Sequence, residues 1–208
     1  MEQKIFFIGL IEEDNNRNLL KMTKELFTIS GYDIIYEGME NVIGFSNNHF
    51  TLIAFDLVVK DLCNMEFDNF KFDIVVHSFL DNCCPDIILN LFKKSRVCIY
   101  NSDGEEMIPL LSDLDKVIAI NYGFNNKSTI TISSYNVNNH IEVNLCLQRD
   151  IVTFYGDKVE PFEFVLEIKS TNEKHIYPVL AAATLNLLIG DSILSKKPYK
   201  NIRLDFTS

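Results

Sequence analysis

A chain of 208 residues, 47% hydrophobic and 23% charged, carries enough apolar surface to bury a full core, which excludes a wholly disordered polypeptide. Its formal charge of -10 opposes nonspecific attraction to nucleic acid and to anionic membrane surfaces, so neither is expected as a partner. The cysteines Cys63, Cys83, Cys84, Cys98 and Cys146 form an odd set without CxxC spacing, and neither a signal-peptide h-region nor an apolar run of roughly 18 residues is present, so a reduced, cytoplasmic protein is expected.

In chain order, the apolar run 5–10 reads as a buried strand. A helix to Ser30 follows, with Leu19, Met22, Leu26 and Ile29 at spacings of three and four. Asp14, Asn15 or Asn16 is expected to cap its start, and Gly31 to end it. Strands are predicted over 33–36, 52–59, 74–77 and 97–100. A helix over 86–94, opened by Pro85, turns Ile87, Ile88, Leu91 and Phe92 inward. Strands alternating with helices imply a mostly parallel sheet covered on both faces. From Lys116 the pattern becomes β-rich, with strands predicted over 117–121, 129–133, 140–147, 151–155 and 162–168. Alternation in "IEVNLCLQ" and "FEFVLEI" points to antiparallel strands with one wet face. An apolar helix over 177–189 closes at Gly190, and the tail reads as an exposed linker or a short edge strand.

Three segments carry a resemblance. "VCIYNSDGEE" is similar to a strand ending in Asn-Ala-Asp-Asp, "VIAINYGF" to a following strand ending in Tyr-Gly, and "HIYPVLAAATLNLLIG" to a helix with Asn-Ala-x-Ala-Ala and a closing Leu-Gly. Their order, with the β-rich part between the second and third, resembles the central, ATP-binding domain of the Mur ligases and their folate-polyglutamate relatives. The resemblance implies an α/β fold: a mostly parallel sheet with flanking helices plus an antiparallel β-rich segment. Residues 1–195 would form one domain, with 116–168 as its β-rich part, and 196–208 a C-terminal tail or linker. The family's N- and C-terminal domains are not represented, and "NIRLDF" resembles its linker to the third domain.

Under that resemblance "IGLIEEDNNRNLL" occupies the slot of the family's Gly-Thr-x-Gly-Lys-Thr/Ser phosphate loop. Gly9 is the surviving glycine, while Glu12, Glu13 and Asp14 stand where the family carries its lysine and its magnesium-binding hydroxyl. Glycines let backbone N–H groups approach phosphate oxygens, and a helix N-terminus adds partial positive charge. Like charges about 6 Å apart repel by about 3 kcal/mol at an effective dielectric of about 20, so three carboxylates would offset most of the roughly 8 kcal/mol of a micromolar affinity. No cofactor is therefore expected; ATP and magnesium would enter only if the acidic loop did not repel them. The three acids read as solvated groups favouring the helix N-terminus through its dipole, or as a cleft rim suited to a cation.

The resemblance further implies a magnesium-side role for Asp56 and an adenine-side role for Asn101, with Asp103 as the motif's first aspartate. Asn-Ser-Asp-Gly is equally a good turn sequence after a strand. No catalytic residue carries over. His77, Asp81 and Cys83 could assemble a thiol site from one strand end and loop. Three functional readings stay open. The chain is a non-catalytic Mur ligase-like protein (pseudoenzyme or interaction module), a subunit of an ATP-dependent amide ligase completed by a partner chain, or a small-molecule or cation sensor. A protein partner or a homo-oligomer is compatible with each.

Overall fold

The computed structural model describes residues 4–13, 16–38, 41–62, 70–78, 85–104, 114, 116–190, 192–196 and 202–206. Strand β1 (Lys4–Glu12) leads into helix α1 (Asn18–Ile29), then to the antiparallel run β2 (Asp33–Gly38), β3 (Val42–Ser46) and β4 (Phe50–Val58). The short helix α2 (Val59–Leu62), β5 (Ile74–His77), α3 (Pro85–Lys94), β6 (Val97–Asn101) and β7 (Ile118–Tyr122) follow. Next come β8 (Ile130–Val137), β9 (Ile141–Leu147), a separate β10 (Ile151–Val152) and β11 (Lys158–Val159) pair, and β12 (Phe162–Lys169). Helix α4 (Ile176–Ile189) and β13 (Ile202–Asp205) close the described chain.

The main sheet has the order β13-β12-β9-β8-β7-β6-β5-β1-β4-β3-β2. Strands β4, β1, β5, β6, β7 and β8 run parallel, while β9 is antiparallel to β8 and β12. The expected class, a mostly parallel sheet with flanking helices and an antiparallel β-rich part, is the one observed. Strand β7, within the stretch read as β-rich, pairs in parallel with β6 and belongs to the parallel layer. The tail takes the edge-strand form: β13 pairs with β12 and buries Ile202 and Leu204.

Helix α1 forms because its apolar positions fall on one stripe. Leu19, Met22 and Leu26 are buried against β1 and the strands beside it. Ile29, expected on that stripe, is exposed, and Phe27 is buried instead. The reason lies in the helix end. Gly31, at φ 93°, and Tyr32 return their N–H groups to the carbonyls of Thr28 and Phe27, both at 3.0 Å. This Schellman closure seats Tyr32 edge-on against Phe27, with ring centroids 5.0 Å apart.

Helix α4 is apolar all round because it has no wet side; among its residues only Tyr177 is not buried. It packs on β5 to β8 and against α1. The sheet curls far enough for its edge strand to reach α1, where the Asp205 N–H donates to Glu25 at 3.2 Å. Two buried polar side chains lie inside α4, and the Asn186 Nδ2 makes no hydrogen bond among the described residues. The Thr184 hydroxyl donates to the Leu180 carbonyl, and Asn186 Oδ1 accepts from the hydroxyls of Ser30 and Ser192. The opposite sheet face is covered by α2 and α3 through Val59, Leu62, Ile88, Leu91 and Phe92. No helix of the described residues is long and apolar enough to cross a membrane.

Candidate functional site

Open α/β sheets bind ligands outside the carboxyl ends of their parallel strands. Along that edge, in strand order, stand Asp56 on β4, Glu12 on β1, His77 on β5, Asn101 on β6 and Tyr122 on β7, all buried. Strand alternation turns Asp56, Glu12, Asn101 and Tyr122 toward α1 and α4, and His77 toward α3, where its ring meets Phe92 edge-on.

Gly9 does not stand in the loop. It lies inside β1, paired with Phe55 on one side and Val75 on the other. The apolar run continues through Ile11, so the strand extends beyond the expected end at residue 10. Its missing Cβ has a packing role, since one would meet Leu57 Cδ1 at 3.0 Å and the Phe72 ring at 3.3 Å.

Glu12 is not a solvated loop acid. As the last residue of β1 it is only 4% exposed, and its Oε1 accepts the Leu20 N–H at 3.0 Å. The first N–H groups of a helix have no partner within it. A carboxylate offered from the end of β1 supplies one and lies favourably against the helix dipole. Residue 17 precedes the helix in the left-handed region (φ 56°, ψ 34°) with no side-chain cap of its own, so the expected Asn or Asp cap is replaced by a tertiary one. Glu13 is exposed, as expected, and Asp14 lies outside the described residues.

Asp56 faces a cation of its own chain. Arg17 Nε is 3.5 Å from Asp56 Oδ2, and Arg17 Nη2 donates to Asn41 Oδ1 at 3.3 Å. Holding a non-glycine residue in the left-handed region costs about 1 kcal/mol or more, which the contacts on both sides of Arg17 must offset. Nothing in the sequence announced Arg17. A signal for a partner existed in "LIAFDLVV", where a lone acid inside an apolar run requires a counter-charge.

Asn101 and Asp103 are brought together as a turn. Asn101 Oδ1 accepts the Asp103 N–H at 3.0 Å, and Asn101 Nδ2 makes no hydrogen bond among the described residues. The Asp103 carboxylate accepts the N–H groups of Phe124 at 2.7 Å and Asn125 at 3.0 Å. Gly123, at φ 153°, makes room, since a Cβ there would lie 2.7 Å from Asp103 Oδ1. The "NSD" and "YG" segments are thus two halves of one structural device.

Burial, together with the charge of the nearby Asp103 carboxylate, pushes the Tyr177 hydroxyl up to about 12. The Tyr122 hydroxyl donates to the His77 carbonyl at 2.7 Å, and burial raises its pKa well above the ordinary value. Burial lowers the His77 imidazole to about 3, which makes it neutral near pH 7. Asp81 and Cys83, its companions in a conceivable thiol site, lie outside the described residues. Among the described residues no group of three or more His, Cys, Asp or Glu could hold a metal ion.

No known family model and no curated protein matches the sequence. Solved structures do match its fold. MurF from Acinetobacter baumannii superposes with a TM-score of 0.63 at 8% identity, covering 89% of this chain and 43% of that one. The UDP-N-acetylmuramoylalanyl-D-glutamyl-2,6-diaminopimelate–D-alanyl-D-alanyl ligase from the same organism gives 0.62 at 7% identity, with 96% and 46% covered. MurF from Thermotoga maritima, solved in complex with ADP, gives 0.56 at 9%, with 93% and 48% covered. The fold is Mur ligase-like. The chain spans less than half the length of these Mur ligases, and at such identities the likeness concerns architecture alone.

Proposed function

We propose that this chain is a non-catalytic Mur ligase-like protein, a pseudoenzyme or interaction module of the cytoplasm associated with cell-wall precursor metabolism, that holds no nucleotide at the end of β1. The observation that carries the reading is the Glu12 carboxylate at the N-terminus of α1, buried and bonded to the Leu20 N–H. A nucleotide phosphate placed at that helix start would meet a fixed negative charge in a site poor in water, where repulsion is weakly screened.

The remaining groups support the same reading. Between Gly9 and Leu20 there is no lysine to reach a phosphate and no serine or threonine to ligate magnesium. Asp56, the candidate metal ligand, lies beside the Arg17 guanidinium. The residues present therefore do not fit a triphosphate with its metal. On this reading Gly9 is a packing residue, Asn101 and Asp103 form a turn, and Glu12 with Arg17 takes the places that ligand and cation would fill. Calorimetric titration with ATP and magnesium tests it: no saturable binding tighter than about 100 μM, roughly 5.5 kcal/mol, is expected. Tighter binding would refute the proposal.

A further inference from the structure

At the other end of the same edge, charges and aromatic rings face solvent. Phe124, in the turn after β7, is 38% exposed, and Tyr135, on β8, is 41% exposed. Their ring centroids are 5.9 Å apart at 83°, and Phe124 also touches Tyr177 in the first turn of α4 at 5.2 Å. The Tyr135 hydroxyl donates to Glu173 at 3.2 Å, and the Asp103 carboxylate, which accepts the Phe124 N–H at 2.7 Å, lies beside the rings. Neither carboxylate has an ion-pair partner among the described residues.

We infer that this Phe124–Tyr135–Tyr177 surface, with Asp103 and Glu173 beside it, is a docking site for an arginine-bearing basic segment of a protein partner. Charge complementarity selects the occupant. Two carboxylates without an ion pair beside partly exposed aromatic rings attract a cation, to which a ring face offers a negative quadrupole. Arginine suits the surface better than lysine because its planar guanidinium stacks on a ring while donating to a carboxylate in the ring plane. The chain's charge of -10 opposes a nucleic acid or an anionic lipid at the same place. The inference goes beyond the proposed function and stands whether or not the β1 end holds nucleotide, since Phe124, Tyr135, Tyr177 and Glu173 take no part there.

Fluorescence anisotropy with a labelled nona-arginine peptide at about 0.15 M salt, where long-range attraction is largely screened, tests the site. Saturable binding by the unaltered protein is expected. Phe124→Ala and Glu173→Gln should each weaken it by about tenfold, and nona-lysine should bind more weakly than nona-arginine. Asp33→Asn, on the exposed strand β2 seven strands away, should leave it unchanged. Absence of saturable binding would overturn the inference. Equal weakening by all three substitutions, or a lysine peptide that binds as tightly and ignores Phe124→Ala, would reduce the effect to general attraction and overturn it too. Self-association abolished by Phe124→Ala would make the occupant a second copy, again against the proposal.

Discussion

The two ends of the strand edge use similar residue types in opposite ways. Beside β1 and β4 the charges are turned inward: Glu12 holds a helix N–H, and Asp56 stands against Arg17. Beside β7, β8 and the start of α4, Glu173 accepts the Tyr135 hydroxyl and Asp103 the Phe124 N–H, next to rings that remain partly exposed. Inward charges are tied to folding, because an unpaired buried group carries a large desolvation penalty. Outward ones are free to meet a partner. Substitutions at the first end should therefore register in stability, and substitutions at the second in binding.

His77, midway along the edge, sharpens the contrast most. Its pKa is lowered by burial to about 3 from an ordinary value of 6.5. Above pH 6.5 the group is neutral in both states and costs nothing. As pH falls below 6.5 the unfolded chain takes up a proton that the folded chain refuses, so stability is lost progressively down to about pH 3. Between pH 7 and pH 5 the loss should be about 2 kcal/mol, at about 1.4 kcal/mol per pH unit below 6.5. Urea unfolding of the protein and of His77→Gln at both pH values checks it. The difference between the two should shrink in acid, because carboxylate effects are common to both.

Arg17 comes next. Arg17→Ala should cost about 1–2 kcal/mol, less than a fully buried pair because its side chain is 29% exposed. Arg17→Gly should be less damaging by about 1 kcal/mol, since glycine accepts the left-handed backbone. Equal losses would mean that the residue carries no strain. At the opposite end, Phe124→Ala and Glu173→Gln should each stay within about 0.5 kcal/mol of the unaltered protein in the same measurement. A larger loss there would break the comparison.

Much of the scaffold was legible because it is local. The three-and-four spacing of Leu19, Met22 and Leu26 and the glycine at 31 define α1, and "IVVH" coincides with β5. Strand β3 was missed, because "VIGFS" is short, carries a glycine and alternates only once. The exposure of Ile29 follows from the turn that brings Tyr32 onto Phe27, a geometry that helical spacing does not encode. The candidate site was less legible. Gly9 reads both as part of the strand over 5–10 and, by motif alignment, as the surviving glycine of the phosphate-loop slot, and it is the strand that is observed. Glu12 and Glu13 are adjacent acids with the same composition signal. Strand alternation separates them, placing Glu12 on the α1 face and Glu13 in solvent. The aromatic surface joins Phe124, Tyr135 and Tyr177 from three elements, so no sequence spacing could announce it.

That adjacent pair provides the most direct test of the central claim, that the Glu12 carboxylate serves the fold as the anion at the start of α1. Urea unfolding of Glu12→Gln and Glu13→Gln should differ sharply. The first should lose about 1–2 kcal/mol by weakening a buried charge-assisted hydrogen bond and its dipole interaction, and the second should change by under about 0.5 kcal/mol. Equal and negligible effects would mean that Glu12 holds nothing, and the account of the β1 end would be wrong.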